Sequence, residues 1–203
     1  MSFARKTDFL ISEEEYLSGE LISEVRHEYI KGEVFAMAGA SKNHNIISGN
    51  IFNRLYNELR EKQSSCITYS SDMKAKVSDE INSYFYPDVM VVCEENEDDY
   101  YQNSAVIIVE VLSQSTSKYD KSRKRLSYFN IATLKEYVLI EQDKCEIVVF
   151  ERDKGWQSSY YFLGDRILFK SIGLSLSVED IYYQIRSEEL TAYYKDKEQE
   201  EKQ

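Results

Sequence analysis

Two carboxylates in this sequence stand where apolar residues are expected. Ala105-Val106-Ile107-Ile108-Val109-Glu110-Val111-Leu112 is an apolar run of strand length broken by one glutamate, the pattern of a strand buried on both faces. Burying an ionised carboxylate costs several kcal/mol unless a cation, a metal or several donors meet it, so Glu110 needs a partner. Asp88 follows the only proline, Pro87, and precedes the apolar stretch Val89-Met90-Val91-Val92-Cys93. Proline is tolerated at the first residues of a strand, which puts Asp88 at a strand mouth. An antiparallel register with its turn centred on Asp99 sets Asp88 opposite Glu110, on one face and at one end of a sheet. Two adjacent carboxylates repel, and a hard divalent cation with oxygen ligands is their natural partner. The plainer alternative pairs Glu110 with a core lysine or arginine and leaves Asp88 as a turn cap.

The elements that must position these groups can be read along the chain. Ser12 followed by Glu13, Glu14 and Glu15 is a capped helix start, ended by Gly19. His27–Ile30, Lys31-Gly32 and Glu33–Met37 read as a hairpin with a two-residue turn. Ser41 or Asn43 caps a helix running to about Lys62, with Ile47, Ile51, Leu55 and Leu59 on its buried face. Strand candidates follow at Cys66–Tyr69, Met73–Val77, Tyr84–Cys93 and Ala105–Leu112. A helix over Lys118–Asn130 precedes strands near Glu136–Ile140, Glu146–Glu151 and Gln157–Leu163, and Val178–Ile185 forms a closing helix. With no repeat and no Pro/Gly linker, residues 1–194 read as one domain, and the charged end from Lys195 to Gln203 as a disordered tail.

At 203 residues the chain can bury a core without staples. No apolar run suits a signal peptide or a membrane span, so a cytoplasmic protein is expected. Cys66, Cys93 and Cys145 are odd in number and widely spaced, and read as buried or incidental thiols. A net charge of −11 weighs against nucleic-acid binding, which relies on Lys and Arg releasing counterions. The acid is partly local, however, in residues 94–99 and beyond Glu188, whereas Lys118, Lys121, Arg123, Lys124 and Arg125 form a basic run. Such a run is as often a solvated helix face as a binding surface.

Tyr86-Pro87-Asp88 with Ile108-Val109-Glu110-Val111-Leu112-Ser113 resembles the PD-(D/E)XK nuclease superfamily, and more closely the Uma-type restriction endonucleases. That resemblance runs through nearly the whole chain: Arg26-His27-Glu28-Tyr29-Ile30-Lys31-Gly32-Glu33-Val34, Met37–Ser41, His44, Ser71-Asp72-Met73-Lys74, Tyr119-Asp120 with Lys124 and Tyr128, and Glu136–Leu139. It implies a restriction-endonuclease-like α/β fold, a mixed β-sheet flanked by helices, with Mg²⁺- or Mn²⁺-dependent cleavage of DNA phosphodiester bonds and frequent homodimers.

Two departures bear on that activity. The superfamily's lysine two residues after the glutamate is Leu112 here, and the family's usual proline after Glu-Val-Leu-Ser is Gln114. A lysine must then come from elsewhere. Asp120, Lys124 and Tyr128 form one helical stripe away from Leu126 and Phe129, and the family match favours Lys124, with Lys74 in reserve. The resemblance also suggests Glu28 as a third metal ligand and His44, Asp72 and Tyr128 as supporting groups, although Glu28 reads on sequence alone as a plain hairpin carboxylate, His44 as a cap or satisfied polar group, and Asp72, a possible partner for a lysine, has an ordinary reading as well. The expected catalytic set is Asp88, Glu110 and Lys124. The rival expectation is a catalytically inactive, dimeric binding or regulatory protein on the same fold, and a two-carboxylate glycosidase is weaker for want of an aromatic cleft.

Overall fold

The computed structural model describes residues 10–94, 96–113 and 119–200, with the side chains of residues 119–121 excluded. Gln114 and Lys118 therefore lie outside the described residues, as do the side chains of Asp120 and Lys121. In chain order the elements are α1 (Glu13–Glu20), β1 (His27–Ile30), β2 (Glu33–Ala36), α2 (Lys42–Glu61), β3 (Ile67–Ser70), β4 (Lys74–Lys76), β5 (Ser83–Phe85), β6 (Val89–Val92) and β7 (Tyr101–Gln102). There follow β8 (Ala105–Leu112), α3 (Tyr119–Tyr128), β9 (Glu136–Glu141), β10 (Ile147–Glu151), β11 (Gln157–Tyr161), β12 (Arg166–Phe169), β13 (Leu174–Ser177), α4 (Val178–Ile181) and α5 (Glu188–Glu200).

A six-stranded sheet in the order β11-β10-β9-β8-β6-β3 forms the centre. Its strands are antiparallel except for β8 and β9, which run parallel and are joined through α3, so the sheet is mixed. Every residue of β8 is buried, as its unbroken apolar run requires. One sheet face, through Val89, Val91, Ile107 and Val109, packs on Ile47, Ile51, Leu55 and Leu59 of α2 and on the β12–β13 hairpin. The other, through Met90, Ile108 and Leu112, packs on Tyr128, Phe85 and Ala75. A second, five-stranded sheet, β2-β1-β5-β4-β7, closes over that side.

The β1–β2 hairpin turns on Lys31 and Gly32, both with positive φ (50° and 91°), as a two-residue turn demands. Ser41 caps α2 by accepting from the His44 amide at 3.1 Å, which fixes where that helix begins.

Three expectations need correction. Cys66 and Cys93 are joined in a disulfide rather than being free thiols, because the β3–β6 register that pairs Ile67 with Val92 makes them the next facing pair. Residues 166–177 form a hairpin the sequence reading missed. The closing helix is short, Val178–Ile181, while the charged end expected to be disordered is helical as far as Glu200. Among the described residues no helix is long and apolar enough to cross a membrane.

Candidate active site

The antiparallel pairing of β6 with β8 sets Val89 against Val109, Met90 against Ile108 and Val91 against Ile107. Continued by one residue, this register puts Asp88 opposite Glu110, as the sequence suggested. The slip lies at the far end, between Val91 and Val92, where it leaves the carboxylate end undisturbed. Alternation along β8 puts Glu110 on the face of Ile108 and Leu112 rather than the α2 face. The loop between the strands is not a bare turn, since it contributes β7 to the second sheet.

Asp88 is held at the sheet end by two donors. The Val111 amide donates to Asp88 Oδ2 at 2.7 Å, and His44 Nε2 lies 3.2 Å from the same oxygen. His44 reaches it from the first turn of α2, so the Ser41 cap that starts the helix also places the imidazole. Burial pulls the His44 pKa down, but its hydrogen bond to Asp88 and the charges of Asp88 and Glu110 outweigh that and push it up. Both contacts fall on Oδ2, and Oδ1 is the oxygen they leave over.

Glu110 is 8% exposed. Tyr128 donates to its Oε1 at 2.8 Å, and Lys124 Nζ lies 3.6 Å from the same atom. Burial pushes the Glu110 pKa up to about 7; Lys124 opposes the rise, while Asp88 and Glu28 add to it. Among the contacts of the described residues, Oε2 is the oxygen left over. Lys124 and Tyr128, one helical turn apart on α3, reach the same carboxylate, as the wheel position implied.

Lys124 also meets Glu28 Oε1 at 2.5 Å, so its ammonium bridges the carboxylates of two sheets. Burial alone lowers its pKa, but Glu110 and Glu28 more than reverse the effect and the ammonium stays charged. Its side chain is 18% exposed and rests over the Phe85 ring, which makes it a far more buried group than a lysine on a polar helix face. Glu28 accordingly enters the cluster through Lys124. Among the described residues no three His, Cys, Asp or Glu side chains are gathered as a ready metal cage.

Two expected supporting residues sit elsewhere. Asp72 is on the surface, 85% exposed, paired with Arg26 at 2.7 Å. Lys74 is buried on β4, with its ammonium over the Tyr86 and Tyr100 rings at 5.5 and 5.9 Å. Burial lowers its pKa, with Glu20 and Asp98 partly opposing. The reserve lysine thus belongs to the second sheet. Leu112, where the superfamily has its lysine, is packed in the core. The sequence reading missed Val111, whose role is carried by its backbone amide and leaves no side-chain signal.

A family model described as Uma2, "Putative restriction endonuclease", matches residues 13–179. The uncharacterized protein slr1290 of Synechocystis sp. is 35% identical over 176 residues, covering 85% of this chain and 91% of that protein. A second Synechocystis protein, the uncharacterized sll1609, is 36% identical over 156 residues, 74% of this chain and 86% of the relative. Among solved structures, a "putative nuclease belonging to DUF820" from Anabaena variabilis superposes with a TM-score of 0.71 at 16% identity, covering 85% of this chain and 97% of that one. That likeness carries the fold. The family match spans both carboxylate strands, α2 and α3, and on it the chain belongs to the Uma2 restriction-endonuclease family.

Proposed function

We propose that this protein is a divalent-metal-dependent endonuclease that hydrolyses DNA phosphodiester bonds at the Asp88–Glu110 cluster. The observation that carries the reading is Lys124 Nζ at 3.6 Å from Glu110, a cation brought by α3 to the carboxylates that Leu112 cannot serve. The donor set suits Mg²⁺ or Mn²⁺: two carboxylates, each with one oxygen not taken up by the hydrogen bonds described, match an ion that keeps much of its water and binds through one or two carboxylates plus substrate phosphate. When bound, such an ion supplies positive charge to a phosphoryl oxygen and makes water a better nucleophile.

The chain's own groups have separable parts. Asp88 is fixed by the Val111 amide and His44, and Glu110 by Tyr128, so the carboxylates are oriented before a cation arrives. Glu28 holds the Lys124 ammonium beside Glu110, from where it can orient water or donate to a phosphate oxygen as negative charge develops.

The reading is tested by incubating the purified protein with supercoiled plasmid and with single-stranded DNA in millimolar Mg²⁺ or Mn²⁺. Cleavage is expected in wild type, and none in EDTA or in Asp88→Ala. A second reading, a catalytically idle binding protein of the same fold, is favoured by Leu112 and predicts that DNA stays intact in every case. It also predicts that an Asp88→Ala change leaves binding untouched.

A further inference from the structure

Lys124 and Tyr128 form the stripe of α3 that faces the carboxylates. The neighbouring stripe, Arg125 and Phe129, faces a groove of about 510 Å³ bounded also by Phe150, Trp156 and the edge-strand residues Gln157 and Ser158. A cavity of that size falls in the range of small-ligand sites. Among the described residues no carboxylate lines it, in a chain with 36 acidic residues, whereas a second cavity of similar size beside α1 is rimmed by Glu13, Glu14 and Asp98.

The groove's cation is unusual as well. The Arg125 guanidinium lies over the Phe150 ring at 4.9 Å, and its Nε is buried with no hydrogen-bond acceptor among the described residues. The aromatic wall is rigid: Trp156 stacks on Phe129 at 4.0 Å, and Arg152 sits over the indole at 4.9 Å while donating to the carbonyls of Phe129, Ile131 and Leu134. Arg152 is therefore occupied by the protein, and Arg125 is the arginine poised for a ligand.

We infer that this groove holds one unpaired nucleotide of the nucleic-acid substrate, its base stacked on the plane of Arg125 and its acceptor oxygens bonded to that guanidinium. The inference rests on the nuclease reading and adds to it a single-stranded or splayed-out element beside the cleavage site. Arginine planes and aromatic rings are the usual platforms for unstacked bases, and duplex DNA would present neither a free base face nor a shape able to enter a groove of this size.

The protein carries its own reporter, since Trp156 is the single tryptophan. Asp88→Ala protein in EDTA, which cannot cleave, is titrated with a single-stranded oligonucleotide, the same sequence as duplex, and polyglutamate, following tryptophan fluorescence. Saturable quenching by the single strand is expected, with affinity lowered about tenfold when Arg125→Ala is added, the loss of one stacked base. Arg125→Lys keeps the charge and the stem and is expected to lose most of the same affinity, because the planar fork is gone. Thermal melts show that both variants are folded. Unchanged fluorescence with the single strand, equal quenching by duplex or polyglutamate, or undiminished affinity in both Arg125 variants would overturn the inference. Because no cleavage is measured, quenching without nuclease activity in wild type would remove the enzymatic reading alone, and cleavage without quenching would remove only this one.

Discussion

Glu110 concentrates the physical problem of this molecule in one side chain. Its burial favours the neutral form and raises its pKa from 4.5 to about 7, against the pull of Lys124. A carboxyl with a raised native pKa keeps a proton that the unfolded chain has already released. Its contribution to stability is complete below about pH 4.5 and is lost as pH rises through about 7. Denaturant unfolding of metal-free protein between about pH 5 and 8 is expected to show wild type losing stability relative to Glu110→Gln as pH rises. Parallel pH profiles for the two proteins would refute a raised Glu110 pKa. Glu110 was legible in the sequence because one acid in an apolar strand demands a partner, and Asp88 because a lone proline marks a strand mouth. Glu28 was visible only by family likeness, since a hairpin carboxylate carries no local signal, and the contact with Lys124 that gives it meaning joins residues 96 positions apart in sequence.

At the scale of elements, the strands around the site followed from alternation and turn chemistry, and the β6–β8 register followed from its end points. The short strands of the second sheet were harder to read: β5 and β7 have three and two residues, too few to show a period. The C-terminal hairpin was missed because Arg166–Phe169 and Leu174–Ser177 alternate over only four residues each. The disulfide was illegible for a related reason. Cys66 and Cys93 lie 27 residues apart with no motif, and only the β3–β6 register brings their Cα atoms to 3.9 Å. Closing a loop of that length is expected to contribute about 3.5 kcal/mol by restricting the unfolded chain. Oxidised protein should therefore melt higher than protein in a phosphine reductant, and a Cys66→Ser variant should match the reduced form. Identical melting in all three would remove the crosslink from the account. Its place at the end of β6 remote from Asp88 implies that reduction leaves metal response intact.

Across the whole molecule, two sheets and two helices meet at one cluster: Glu28 from the second sheet, Asp88 and Glu110 from the first, His44 from α2, and Lys124 and Tyr128 from α3. A ligand that binds this assembled cluster and not the unfolded chain must raise the melting temperature. Millimolar Mg²⁺ or Mn²⁺ is expected to do so in wild type and not in Glu110→Ala, and an equal response in both would put the ion elsewhere. The central claim is that Lys124, brought in from α3, takes the part that Leu112 cannot play. Lys124→Ala removes the ammonium beside the buried Glu110, and is expected to cost about 3 kcal/mol in EDTA, a loss that divalent metal largely restores. The most direct test is single-turnover DNA cleavage by wild type and Lys124→Ala side by side, with metal binding confirmed in both by its effect on melting. The account predicts that the variant still binds metal but loses cleavage; cleavage by Lys124→Ala at the wild-type rate would contradict it.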